Sequence, residues 1–448
     1  MSFDLEDLTG ALLAAARKAG ADTADAIAVQ GTSLAIDVRE GTLEQAERAE
    51  AVDIGLRVMI GQRQANVSAS DTRTETITAM AERAVTMARE APEDPYIGLA
   101  DPDQLAQGWD LAALELCDPS PEPAPDALRT DAERAEAAAL ESDGISQVQV
   151  ASAGYGRTQV HLSATNGFSG GYERSERGTS CIAIAGRGDA MERDHDGDSR
   201  VFQSDLRSPE DIGRTAARRA LERQGARRPH TGTWPVVFDE RIAASLIGHF
   251  LGAANGTSIA RGSSWLRDAL GQQVLPESLS IVEDPHRPRA TSSRPFDAEG
   301  LPTRRRSIVE NGVLTGWTLD LATGRKLDMP STANAARGPS SAPSPGAWNI
   351  ALTQGDKTRD DLLREMGTGL LVTSLIGSTI SPTTGDYSRG ASGLWIENGE
   401  IAYPVNECTI AGNLREMLMR ITPANDARPW LSRVVPSLLV EGLTLAGD

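Results

Sequence analysis

The stretch from Ser374 to Leu414 constrains this chain most, because its centre, Gly393 to Val405 (GLWIENGEIAYPV), has the pattern of a β-hairpin. Two runs carrying Leu394, Ile396, Ile401 and Val405 flank Asn398-Gly399, a pair suited to the two positive-φ positions of a type I′ turn. The same signal stands upstream in Ser307 to Trp317 (SIVENGVLTGW), with Asn311-Gly312 at its tip. Ahead of the main hairpin, Thr383, Thr384, Gly385, Asp386, Tyr387, Ser388 and Arg389 form an unbroken polar run between two apolar stretches, read as a loop. Such a loop is either a solvent-facing connection or a place for binding chemistry held on a rigid sheet.

The remainder of the chain alternates helical and strand-like patterns. Residues 4–19 keep Leu5, Leu8, Leu12 and Ala15 at helical spacing, with Gly20 placed to end the helix. From Ala26 to Ser70 the runs 33–39, 54–60 and 65–70 are strand-like and separated by Glu40-Gly41 and Gly61-Gln62, which predicts a meander. A second helix runs from Thr74 or Glu75 to Glu90, with Ile77, Met80, Ala84 and Met87 on one face. Pro92 to Pro125 is rich in Pro and Asp and is expected to wander over the surface. Asp126 to Glu141 returns to helix, 147–151 and 158–163 read as two strands, and 179–185 as a third after a loop. Ser208 to Arg223 closes this part as a helix with Pro209 at its first turn. The two-fold rhythm is visible, but no repeat of residues accompanies it.

At 448 residues the chain exceeds one ordinary core, and a boundary falls near Arg227 to Gly232. We therefore divide it into an N-terminal α+β domain of helices on antiparallel strands, 1–230, and a β-rich C-terminal domain, 231–448. The latter opens with a buried strand, Trp234 to Phe238, and one notable helix, Arg241 to Ala254. Gly338 to Gly346 has the composition of a flexible linker.

Composition narrows the class. A net charge of −19 disfavours phosphate-backbone binding, which needs a basic surface. No run approaches the roughly 18 apolar residues of a membrane helix. The N-terminus is acidic where a secretory signal would be basic and then apolar, so the cytoplasm is the expected compartment. Cys117, Cys181 and Cys408 are far apart and include no CxxC pair, which argues against disulfides and an all-cysteine zinc site. Each is expected as a small buried residue.

Several motifs fail on their chemistry. Asp194 to Asp198 suggests a calcium loop, but an EF-hand needs Gly where Ser199 stands and Glu where Asp205 stands. A solvated acidic turn is the reading that remains. Gly167 to Gly171 satisfies GxSxG, yet that serine needs a helix after it, and Tyr172 onwards reads as strand. His161 falls on a predicted strand and His286 on a predicted surface loop, each without a second His at ligand spacing.

Gly385 to Gly390 (GDYSRG), Pro404-Val405 and Thr409 to Leu414 (TIAGNL) resemble the TldD/PmbA family, and the resemblance spans nearly the whole chain. That family comprises paralogous subunits: a TldD-like one with a zinc-binding HExxxH helix, and a PmbA-like one, also called TldE, without it. The wording here is closer to the PmbA-like branch. Aligned on Gly248-His249, the first His of the motif falls on Ala244 and the Glu on Ser245. The resemblance also implies a third ligand, a late Cys, whereas Cys408 comes earlier in this chain. One imidazole cannot hold a catalytic zinc. His249 then reads either as a partly buried helix residue or as a leftover substrate contact.

The resemblance implies a non-catalytic subunit of a cytosolic zinc metalloprotease complex that acts on unfolded or modified peptides. It implies no cofactor on this chain alone, zinc in a TldD-like partner, and a heterodimer. Thr383, Asp386, Arg389 and His249 become the candidate substrate or partner contacts. The Gly338 to Gly346 stretch is assigned to the folded C-terminal domain on the same ground. The family is also labelled a modulator of DNA gyrase, but an acidic chain without a basic patch argues against direct action on nucleic acid. Two rivals stay open: a stand-alone homodimeric peptide-binding protein, and an independent peptidase with a site around Asp386, Arg389, Glu397 and Glu407.

Overall fold

The protein is described by a computed structural model covering residues 4–447; Met1 to Phe3 and Asp448, which the sequence assigned to the acidic N-terminus and the C-terminal domain, lie outside it. The first half builds one helix–three strands–helix unit twice. The first unit is α1 (Leu5–Ala19), β1 (Thr23–Arg39), β2 (Thr42–Ile60), β3 (Arg63–Ala69) and α2 (Thr74–Glu90). The second is α3 (Pro125–Leu140), β4 (Ile145–Ala164), β5 (Ser169–Ala185), β6 (Glu192–Arg200) and α4 (Pro209–Leu221). All six strands form one antiparallel sheet in the order β3-β2-β1-β4-β5-β6. Its two halves join where β1 pairs β4, from Asp25 opposite Ala164 to Val38 opposite Ala151. The rhythm seen in the sequence is thus a repeat of topology.

Each helix pair buries one apolar stripe. Leu12 of α1 and Ile77 and Met80 of α2 pack on Ile54, Leu56 and Val58. Leu128 and Ala132 of α3 and Ile212 and Ala216 of α4 pack on Val148, Ala151 and Cys181. The helices of the second pair also lie close to each other: a Cβ on Gly213 of α4 would strike the α3 backbone at Ala135.

Several strands depart from the sequence reading. Residues 145–164 form one strand, not two, and β5 begins at Ser169. The polar middle of β4, around Ser152 to Arg157, is held by pairing to β1 on one side and β5 on the other. Backbone ladders need no apolar side chain to form. Likewise β2 runs back through the exposed, charged segment Thr42 to Ala51 because β1 offers it a partner. Pro92 to Pro125 does more than wander: Ala106 and Trp109 pack with Phe168 and Phe296 over the sheet, and Leu116 O accepts from Ser175 N–H at 3.0 Å.

The second half contains β7 (Gly232–Phe238), α5 (Glu240–Ala253), α6 (Gly256–Ala260), β8 (Ile281–Glu283), β9 (Arg306–Glu310), β10 (Val313–Leu314) and α7 (Leu321–Lys326). Next come β11 (Ala335–Ala336), β12 (Ser344–Pro345), β13 (Ile350–Leu352), α8 (Arg359–Met366), β14 (Gly369–Ile380), β15 (Asp386–Glu397) and β16 (Glu400–Asn413). The chain finishes through α9 (Leu414–Leu418), β17 (Ile421–Pro423), β18 (Arg433–Val434) and β19 (Leu438–Ala446). The main sheet has the order β16-β15-β14-β7-β19-β17, and β16 also pairs β19, so five strands close into a ring at that end. A smaller sheet, β10-β9-β8-β13-β18, stands beside it. Both Asn-Gly tips form as expected: Asn398 and Gly399 have φ of 54° and 80°, Asn311 and Gly312 49° and 80°.

Strand alternation gives the main sheet two apolar faces. Val236, Phe238, Leu370 and Val372 meet Leu246, Ile247 and Phe250 of α5. Val237, Leu371, Leu394 and Leu439 meet Leu362 and Leu363 of α8. The fold is α+β, with a β-rich second half and α5 as the helix laid against its sheet.

The Pro-Ser-rich stretch is part of the folded structure. The β11/β12 hairpin brackets it, and Pro339 lies so close to Gly55 of β2 that a Cβ there would collide with its carbonyl. The preceding Arg337 reaches Asp25 of β1 with a fully buried side chain. Arg57 of β2 holds the same carboxylate, its Nε donating at 2.7 Å. Burial pushes the Asp25 carboxyl up, but Arg337 and Arg57 outweigh it and hold it below its ordinary value. Its stabilising contribution is therefore complete at neutral pH and lost only as pH falls through that depressed value. Replacing Asp25 by Asn leaves two buried guanidiniums short of their counter-ion. Urea denaturation of Asp25→Asn at pH 7 should show a loss of about 3–5 kcal/mol; an unchanged midpoint would mean that the two halves do not depend on this ion pair.

Candidate functional site

A cleft of about 1120 Å³ opens between β6 and α4 on one side and α5, β14 and β15 on the other. The β6 wall is the segment the sequence assigned to a solvated acidic turn. It is an edge strand, and its period of two sends Asp194, Asp196 and Asp198 inward while Arg193, His195 and Ser199 stay exposed. Burial is possible because each carboxylate meets arginines. Asp196 takes Arg219 Nη1 at 2.7 Å as well as Arg207, and Asp198 takes Arg200 Nε at 2.9 Å. Asp194 lies 3.5 Å from Arg223 and 3.5 Å from Arg241 at the start of α5, so it ties the two walls together. The spacing of aspartates at i, i+2 and i+4 was the signal in the sequence that could have revealed a strand here.

The opposite wall is the outer face of α5. Asp239 caps this helix, accepting from Arg241 N–H at 3.2 Å. One face buries Ala243, Leu246, Ile247 and Phe250 in the core. The other presents Ile242 and Ser245 to the cleft, and His249 lies one turn beyond Ser245. The His249 ring is half-buried and edge-on to Tyr387, centroids 6.0 Å apart. His249 Nε2, Ser245 Oγ and the Tyr387 hydroxyl are buried atoms with no hydrogen-bond partner among the described residues. Burial, reinforced by the positive charges of Arg389 and Arg433, pulls the His249 pKa down. Burial also lifts the Tyr387 phenol to about 12, against the pull of nearby Arg389.

Arg389 lines the cleft from β15. It shares a strand face with Tyr387 two residues before it. A bulge in β14 at Gly377, φ 68°, turns a carbonyl toward it, and Arg389 Nε donates to that oxygen at 2.7 Å. The polar run 383–389 is therefore only partly a loop. From Asp386 onward it is strand, because β16 pairs with it from Asn413 back to Ile410.

The sequence candidates divide accordingly. Arg389 stands at the cleft and His249 beside it. Thr383 is exposed in the turn. Asp386 serves that turn, accepting from Thr384 Oγ1 at 2.6 Å and Asn413 Nδ2 at 3.0 Å. Glu397 sits at the hairpin tip, roughly 35 Å along β15 from Asp386 by strand rise, and Glu407 pairs with Arg228 at 2.7 Å. These four groups do not converge. Gly377 and Arg433 were not singled out from the sequence, and Tyr387 only as part of the polar run, since their proximity to α5 depends on tertiary structure.

The donors at the family's motif positions do not suit zinc. Ala244 supplies a methyl group, Ser245 a neutral hydroxyl and His249 a single imidazole, whereas such a site takes three or four His, Cys or carboxylate ligands. Among the described residues no cluster of three His, Cys, Asp or Glu side chains has metal-binding geometry. Cys408 is buried in β16, its thiol donating to Ala391 O at 3.2 Å and pushed up to about 11 by burial. Cys181 is buried too, and Cys117 is half-buried.

The electrostatics can be measured directly. In an NMR titration the His249 ring should ionise below the usual 6.5 and remain neutral at pH 7. Arg389→Gln should raise its pKa by removing a repelling cation. A His249 pKa above 6.5 would contradict this environment.

Three family models cover almost the entire chain. They are the PmbA/TldA metallopeptidase domain 1 at residues 24–88, the central domain at 118–224 and the C-terminal domain at 231–447. The chain is 36% identical to metalloprotease PmbA of Escherichia coli O157:H7, over 95% of its own length and 93% of that protein's. It is likewise 36% identical to the metalloprotease PmbA homologue of Haemophilus influenzae, over 97% and 94%. Its fold superposes with a TM-score of 0.91 on a crystal structure from Bacteroides thetaiotaomicron named as a candidate modulator of DNA gyrase, with 26% identity and 99% of both chains covered. On domain models and long-range identity together, the chain belongs to the PmbA/TldD metallopeptidase family.

Proposed function

We propose that this chain is a non-catalytic, peptide-binding subunit that works with a paralogous, zinc-bearing subunit of its own family in the cytoplasm. The observation that carries this reading is the cleft-facing side of α5. The helix keeps its cap, its buried face and its place on the cleft wall, yet Ala244 and Ser245 stand where the family resemblance puts a ligand and a general base. A hydroxyl beside one neutral imidazole has no metal to polarise and no carboxylate to activate water. The open cleft and its ordered walls are what a binding role requires. A partner that supplies the metal gives this scaffold a use; two copies of this chain would contain no zinc-peptidase site. The substrates that fit are unfolded peptides, because an extended chain can lie in a long cleft and be held through its backbone.

Three measurements test this reading. Metal analysis of the purified chain should find less than stoichiometric zinc, and Ala244→His with Ser245→Glu should not create a peptidase, for want of a third ligand. Metal-dependent cleavage by that double variant would reveal a ligand outside α5. Mixing the chain with a family paralogue that carries HExxxH should produce cleavage of an unstructured peptide that neither chain shows alone. Equal activity of the paralogue without this chain would refute the partnership.

A further inference from the structure

We infer that the part of the cleft beside α5 is a carboxylate-binding site, in which Arg389 and Arg433 receive an anionic group of a bound peptide and Ser245 and Tyr387 add hydroxyl donors. This deepens the peptide-binding reading and rests on it. Four of the arginines that line the cleft are already neutralised. Arg219 is paired with Asp196, Arg223 lies near Asp194 and Glu192, Arg241 is paired with Asp239, and Arg428 with Glu240. Arg389 and Arg433 have no carboxylate partner among the described residues. Their fields nevertheless meet at one place, the His249 ring.

The geometry around them is built rather than open. Arg389 is anchored through Nε to Gly377 O at 2.7 Å, so its two terminal nitrogens remain available as a planar fork. That fork matches the two oxygens of a carboxylate. Arg433 reaches over α5 where Gly248 lacks a side chain; a Cβ there would lie 2.9 Å from Arg433 Nη1. Ser245 Oγ is buried without a partner, and the Tyr387 hydroxyl, also buried, has only the neighbouring Arg389 beside it, whereas buried hydroxyls are ordinarily fully hydrogen-bonded. Tyr387 is 2% exposed, and burial keeps its proton on, so it is a donor at any physiological pH. A carboxylate is the ligand whose chemistry suits these charged and hydroxyl donors. The chain carries a net charge of −19, so an anion approaches this cleft against the overall field and needs local cations to hold it.

The carboxylate can come from a peptide C-terminus or from an acidic side chain, and the test separates the two. The full chain is titrated, by fluorescence anisotropy, into three labelled unstructured peptides of the same Ala/Ser/Gly sequence. One has a free C-terminal carboxylate, one a C-terminal amide, and one the amide with a single internal Glu. At least one carboxylate-bearing peptide should bind about ten-fold tighter than the plain amide, the worth of one charge-assisted pair. Arg389→Gln and Arg433→Gln should each bring that peptide to the level of the amide measured with the same variant. A preference for the free terminus identifies the source as the chain end; a preference for the Glu peptide identifies it as a side chain. Arg433 is exposed, so its variant keeps the test valid if Arg389→Gln does not fold. Equal binding of all three peptides, or a preference that survives both substitutions, overturns the carboxylate site while the peptide groove stands. No binding of any of them overturns the groove and this inference with it.

Discussion

The carboxylate of Asp25 is almost entirely buried and takes guanidinium groups from two different parts of the chain. Arg57 comes from the neighbouring strand, as any cross-strand pair does, but Arg337 arrives from more than 300 positions away. A buried charge is tolerable only when its partners are present, so the N-terminal sheet and the loop before β12 are complete only together. The collision that any side chain on Gly55 would suffer with Pro339 shows how closely the two surfaces fit. Asp194 and Arg241 repeat the device at the cleft. These seams set the distance between β6 and α5, and hence the cleft exists as a shaped space.

Within that frame α5 separates two kinds of constraint. Its inner face is held by Leu246, Ile247 and Phe250 in the core, where lost volume is expensive. Its outer face touches the cleft through Ile242 and Ser245, and Ser245 is not part of the apolar core, so its chemistry can change at less cost to the packing. A helix can therefore retain the architecture of a metallopeptidase family while holding Ala244, Ser245 and a neutral His249. Function is read from such a face, and the fold alone does not supply it.

The charge pattern of the cleft follows the same logic. Its acidic strand and its arginines largely cancel, pair by pair, and the cancellation stiffens the walls. Arg389 is left without a carboxylate and is aimed toward His249 by a bulge at Gly377 and by strand alternation. Recognition by planar, charge-assisted bonds demands that kind of fixed donor.

Local features were legible from the residues. Helix periodicity located α1, α2, α3, α4 and α5 to within one or two residues, and both Asn-Gly tips formed, because caps, turns and periodicity depend on neighbours in the chain. The unsuitability of α5 for zinc was also plain, since a ligand set is a matter of residue identity. The polar strands were not legible. Thr42 to Ala51 and the middle of β4 are strands because a partner strand lies alongside, with no side-chain pattern of their own that requires it, and β6 offered only its alternating aspartates. Arg389 was identified as a candidate, but its place beside His249, and the approach of Tyr387 and Arg433, were decided only by tertiary structure. Distance between residues far apart in sequence depends on register and sheet order, which no local interaction encodes.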